Sequence, residues 1–135
     1  MQYHWTALEA DRAFTAASRA RRRATLKRLG RAVCGLHVYE EQHRRSGERG
    51  LLEIPLECIQ GTTEPNRAAE FDWHFRPTPQ TRSRWQRVWM AFHAGVTLPP
   101  ISVVPVSGGY AIRDGHHRVS VAKARGALTI TALVA

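Results

Sequence analysis

Cysteine is scarce: only Cys34 and Cys58 occur among 135 residues, too few for a disulfide framework and not spaced as a CxxC pair or a Cys/His metal site. A reducing cytoplasm is the compartment this usage implies. Long apolar runs are missing too. No window approaches the length that crosses a membrane, and Met1–Asp11 lacks the basic start and apolar core of a signal peptide. The expectation is a soluble, unexported protein with no membrane partner. Lysine is almost absent, since Lys27 and Lys123 are the sole lysines among 20 basic side chains. Arginine's planar fork favours bidentate contact with phosphate and carboxylate. Internal repeats and low-complexity tracts are absent, so one compact domain is the default for this length.

What is present begins with charge. The chain carries a net charge of +9 with 43% hydrophobic residues, ordinary for a globular protein but strongly basic. Residues 1–50 contribute +6 of that charge and residues 51–135 the remaining +3. Thr6-Ala-Leu-Glu9 has the form of a capping box, which predicts a helix from about Ala7 to about Val33. Leu8, Phe14, Leu26, Leu29 and Val33 share one side of it, Gly30 stands as a break or kink, and Arg19–Arg23 falls mostly off the stripe, with Arg22 inside it. Residues 40–50 are polar with two glycines and read as a loop or linker. The division that follows is a basic helical extension and linker over 1–50 and a second unit over 51–135.

In that second unit Leu52, Ile54, Leu56 and Cys58 alternate with polar residues and proline, the pattern of a half-buried strand, with Pro55 confining it to an edge or a strand start. Gly61–Arg76 has no clean period and reads as a structured loop with a short helix. Thr78 as N-cap, Pro79 at the first helical position and Gly95 as the stop predict a helix over Gln80–Ala94. Its Trp85, Val88, Trp89 and Phe92 form the core-facing stripe, with Arg82, Arg84 and Arg87 outside it. Ile101–Val106 and Tyr110–Arg113 flank a glycine pair and read as a hairpin. A helix over 116–125 ends at Gly126, with Lys123 and Arg125 late in it, where cations suit the helix dipole. Leu128–Val134 reads as a last strand. The fold class expected is α+β: a small mixed, partly antiparallel β-sheet with packed helices, preceded by the basic N-terminal helix.

Asp114-Gly115-His116-His117-Arg118 joins the hairpin's second strand to the following helix. The early N–H groups of a helix lack intrahelical partners and carry partial positive charge, so the junction is a candidate anion site. Asp114 reads as the helix N-cap or a Mg²⁺ contact, with the cap the simpler role. His116 and His117 are adjacent, about 100° apart on a helix. That spacing does not suit metal binding by the pair, for which i, i+4 would be required. Arg118 reads as a phosphate ligand in preference to a surface ion pair.

Residues 54–59, 65–72 and 98–103, and most specifically Tyr110-Ala-Ile-Arg-Asp-Gly-His-His-Arg118 with Ala122 and Gly126, resemble the ParB/sulfiredoxin-like superfamily over residues 51–135. The resemblance implies a bacterial-type domain whose loop-to-helix motif holds nucleotide phosphates: CTP in ParB-type members, ATP in sulfiredoxins, ADP in a free-serine kinase. Mapped on the motif, Gly115 is the glycine that admits the phosphate, Arg118 its arginine, and His117 stands where sulfiredoxins have His. His116 occupies the place of the sulfiredoxin cysteine or the ParB glutamate, so sulfinic acid repair is excluded. Arg67 resembles the arginine of the ParB Pro-Arg-x-x-Phe block. The cofactor expected is ATP or CTP with Mg²⁺, bound by Asp114, Gly115, His116, His117, Arg118 and Arg67, and the activity an NTPase or small-molecule kinase, with His116, Glu64 and Glu70 as catalytic candidates and no metal ligand assigned. The alternative is a ParB-like accessory protein contacting DNA backbone through its basic N-terminal helix. A homodimer is compatible with the sequence, which fixes no oligomeric state.

Overall fold

The computed structural model describes residues 2–27 and 35–135, with side chains from Thr6 onward. Among them, three helices, α1 (Gln2–Lys27), α2 (Arg82–His93) and α3 (His116–Ala124), accompany six strands: β1 (His37–Val38), β2 (Gly50–Pro55), β3 (Ile59–Thr62), β4 (Ile101–Val106), β5 (Gly109–Asp114) and β6 (Thr129–Val134). The strands form one sheet in the order β1-β3-β5-β4-β6-β2. β4 and β5 pair antiparallel, as do β2 and β6; β3 with β5, β4 with β6, and β1 with β3 run parallel. This is the mixed sheet with packed helices expected of the chain. No helix among the described residues is long and apolar enough to cross a membrane.

The helices cover one face of the sheet. Trp85, Phe71, Phe75, Ile101, Val103, Ile112, Val119 and Val121 are buried there, in one cluster that takes in Ala10 and Phe14 of α1. On the other face Val104, Val106 and Ala111 form a second, smaller cluster with Tyr39 against it. Residues 39–49 pass over that face, where Arg45 N donates to Pro105 O at 2.9 Å and Arg44 bridges to Val106. The segment read as a linker is thus held to the sheet by its backbone, and β1 before it forms the edge beside β3.

Several local readings are corrected. The alternation over 52–58 spans two elements: β2 ends at Pro55, Leu56–Cys58 makes a 3₁₀ turn, and β3 follows. Burial of Ile54 and Leu56 survives the turn, so the period alone did not reveal it. The short helix in Gly61–Arg76 is a 3₁₀ segment, Pro65–Glu70, whose repeat of about three residues per turn explains the missing α period. Thr78 is not a side-chain cap for α2; its hydroxyl donates to Glu70 O at 2.8 Å, and a 3₁₀ turn over Pro79–Thr81 precedes Arg82.

α1 starts at Gln2, ahead of the Thr6 capping box, and its buried face differs from the predicted one. Phe14 of the predicted stripe is buried, but Leu8 is 38% and Leu26 64% exposed, and Ala10 is buried in their place with Ala13 and Ala17 packed beside it. Small side chains let the helix approach closely, and Phe14 meets Trp85 edge-on at 5.5 Å. Asp11 pairs with Arg82 and Glu9 with His93 across the α1–α2 contact. Leu29, Gly30, Val33 and Cys34 lie outside the described residues.

Candidate functional site

Gly115 makes the site possible. Its φ of 110° is a conformation L side chains rarely adopt, and a Cβ there would stand 2.5 Å from Ile101 Cγ2. The sharp turn sends the chain from β5 directly into α3. It also makes Gly115 the helix cap, one residue later than expected, with no side chain capping the first turn. Asp114, largely exposed, turns instead to Arg118 Nη2 at 3.2 Å, the surface ion pair considered as the alternative for Arg118. The leading N–H groups of α3 are therefore left without a side-chain acceptor.

A cavity of about 500 Å³ opens over this helix start. Gly115, His116 and His117 form its floor, Arg67 and Glu70 of the 3₁₀ segment one wall, and Arg84 and Val88 of α2 another. Glu64, Arg113, Asp114 and Arg118 complete the rim. All the residues predicted for the site thus come together. Arg84 and Arg113 were not singled out in the sequence; each is exposed and makes no ion pair among the described residues. Arg118 has an additional task. Its Nη1 donates to Pro99 O at 2.6 Å and to Pro100 O at 3.0 Å, fastening the approach to β4 onto the start of α3.

His116 Nε2 lies 2.7 Å from Thr62 Oγ1, which also accepts from Glu64 N at 2.9 Å. Phe71 stacks near His116 and meets His117 edge-on at 5.2 Å. His117 Nε2 is buried without a hydrogen-bond partner. Leaving such an atom unsatisfied costs about 1–3 kcal/mol. Both imidazoles are pushed down from 6.5 to about 4, foremost by burial, with Arg67 acting further on His116 and Arg84 on His117. Both rings are neutral at neutral pH.

A pH dependence follows. Between about pH 6.5 and 4 the unfolded chain binds protons that the folded histidines refuse, so stability falls as pH drops through that window. At about 1.4 kcal/mol per unit and group, the two histidines together carry a few kcal/mol. The urea midpoint should be lower at pH 5 than at pH 7, and a His116→Asn/His117→Asn variant should shrink that difference. An unchanged difference would place the effect elsewhere.

Among the acids, Glu70 holds Arg67 Nη1 with both oxygens, at 3.0 and 3.2 Å. Glu64 is exposed at the rim, and its carboxylate makes no ion pair or hydrogen bond among the described residues. No group of three or more metal-ligating side chains forms among the described residues. The donors therefore fit Mg²⁺ only as a companion of ligand phosphates, touched by a carboxylate or two, as is usual for that ion.

No protein-family model matches the chain, and no curated protein does. Among solved structures, the crystal structure of sulfiredoxin from Arabidopsis thaliana is similar at 24% sequence identity and a TM-score of 0.44, over 63% of this chain and 83% of that chain.

Proposed function

We propose that the protein binds the phosphates of a nucleotide, ATP or CTP, over the start of α3. The observation that carries this reading is the uncapped helix N-terminus, opening into a cavity rimmed by arginines. The helix terminus attracts negative charge, Arg84 and Arg113 are free to neutralise it, and the volume lies within the range of small-molecule sites. Mg²⁺ would accompany the phosphates, within reach of Glu64 and Asp114. Phosphoryl transfer asks mainly for positioning and charge neutralisation. Of the three catalytic candidates Glu64 alone keeps a free carboxylate; Glu70 is occupied by Arg67, and His116, with a pKa of about 4, is a poor base at neutral pH. Sulfinic acid repair is not proposed, because residue 116 is histidine.

Equilibrium binding of ATP and CTP with Mg²⁺ tests this reading. Arg84→Ala and Arg113→Ala should each weaken binding by about tenfold, the scale of one lost charge-assisted hydrogen bond. Arg118→Ala should weaken it as well while lowering stability, because the Pro99 and Pro100 carbonyls lose their donor. Undiminished binding in the Arg84/Arg113 double variant would remove the site from consideration.

One observation favours a second reading, contact with DNA backbone. Arg12, Arg19, Arg22, Arg23 and Lys27 of α1 are all exposed. Charge of that kind gives sequence-independent affinity that falls steeply with salt. Replacing Arg19, Arg22 and Arg23 by alanine should flatten the salt dependence of duplex binding while leaving nucleotide binding intact.

A further inference from the structure

A second cavity, about 460 Å³, lies beside α3 away from its N-terminus, between α1 and the Phe71–Pro77 loop. We propose that it is a binding site for a small carboxylic acid with a compact apolar body. The argument starts from charge. Lys123 reaches into this cavity from α3 and Arg76 from the loop, and no carboxylate lines it. Lys123 makes no ion pair among the described residues; its Nζ stands 5.5 Å from the centre of the Phe75 ring, and burial, the largest influence, pulls its pKa down. Asp72, the nearest acid behind the wall, is already satisfied, accepting from His74 N and Arg76 N at 2.9 Å and from Arg76 Nη1 at 3.2 Å. Glu57, the other acid that acts on Lys123, is exposed and outside the cavity.

The remaining surface sets the body of the ligand. Ala13, Ala17 and Ala20 of α1 supply a wall of methyl groups, and Phe75 and Pro77 the floor. An amine set against an apolar wall prefers an anion it can pair with over the partial hydration it now has. The volume suits a ligand of modest size, with the acid on Lys123 and the hydrocarbon along the alanines. This site is separate from the phosphate cavity, and the proposal does not rest on the reading of that cavity.

With only two lysines in the chain, Lys27→Arg leaves Lys123 as the single side-chain amine, and reductive ¹³C-methylation gives it its own NMR signal apart from the amino terminus. Octanoate should bind saturably, shift that signal and raise the pKa of the amine. Octanol, the neutral counterpart, should bind roughly tenfold more weakly, Lys123→Met should lose about the same factor, and Lys123→Arg should keep most of the affinity. Ala17→Phe, which fills the cavity and leaves the cation, should abolish binding. The near-UV circular dichroism spectrum and the unfolding midpoint of the Lys123→Met protein should match the parent's, which reports that the fold is intact. Equal affinity for octanol and octanoate, non-saturable binding, or binding indifferent to both Lys123→Met and Ala17→Phe would overturn the proposal. So would capture of an acidic peptide at Lys123 in place of octanoate.

Discussion

Replacing Gly115 by alanine should cost the protein about 3 kcal/mol, combining roughly 1–2 kcal/mol for a side chain at positive φ with a comparable overlap penalty in a packed core. The overlap is specific: the new methyl would sit 2.5 Å from Ile101 Cγ2 and 3.1 Å from Arg118 Nη2. Ile101 is fully buried and Arg118 is tied to two carbonyls, so neither can yield cheaply. The unfolding temperature should drop by roughly 10 °C in calorimetry. Phosphate affinity should fall with it, because the start of α3 moves. Gly126→Ala is the control. Gly126 also has a positive φ, 78°, but nothing lies within 4 Å of its would-be Cβ, so only the backbone term of about 1 kcal/mol applies. Equal losses in the two variants would show that the contact with Ile101 contributes nothing.

Trp85→Ala should be at least as damaging, about 4 kcal/mol, as expected for emptying the site of a large buried aromatic. Trp85 is fully buried where three elements meet. Its ring receives Phe14 of α1, and its Nε1 donates to Ser120 Oγ of α3 at 2.8 Å. The same hydroxyl donates to Phe75 O, in the loop that carries the positive-φ Phe75. Truncation therefore empties volume and leaves α1 without its main anchor. Guanidinium unfolding should show the loss, and amide exchange should accelerate in α1 before α2 or α3. Trp85→Phe should retain most of the packing and cost about 1–2 kcal/mol through the lost hydrogen bond to Ser120 Oγ. A Trp85→Ala loss under 1 kcal/mol would mean that α1 docks by other means.

The parts legible in the sequence were those that local chemistry dictates. The tryptophan stripe of α2, the turn at Ser107-Gly108, the start of α3 at the Gly115 motif and the β-branched β6 each depend on residues within a few positions of one another. The misread parts depend on distant partners. α1 was oriented by its leucines, but Trp85 selected the alanine face, and hydrophobicity does not register how closely a small side chain lets a helix approach. β1 is two residues long and exists through its pairing with Gly61 and Thr62. In the site, the motif located the helix end at the cavity floor, yet Arg84 arrives from α2, and the Pro99 and Pro100 carbonyls that engage Arg118 arrive from the approach to β4. The Asp114 cap was off by one residue because Gly115, by its positive φ, takes the cap position itself.

The place of β6 in the sheet constrains how the protein can be made. Residues 129–134 come after every other strand in the chain, yet they lie between β4 and β2, pairing with both. While the ribosome is still upstream of them, β2 has no partner and the Ile101–Val103 edge of β4 is bare. Residues 50–55 therefore wait through the synthesis of some seventy further positions before their six-residue ladder can form. Sealing that edge is a late event by construction, and such long-range closure is slow. A chain stalled before residue 129 would expose two unpaired strand edges, the surfaces most prone to joining those of another nascent copy.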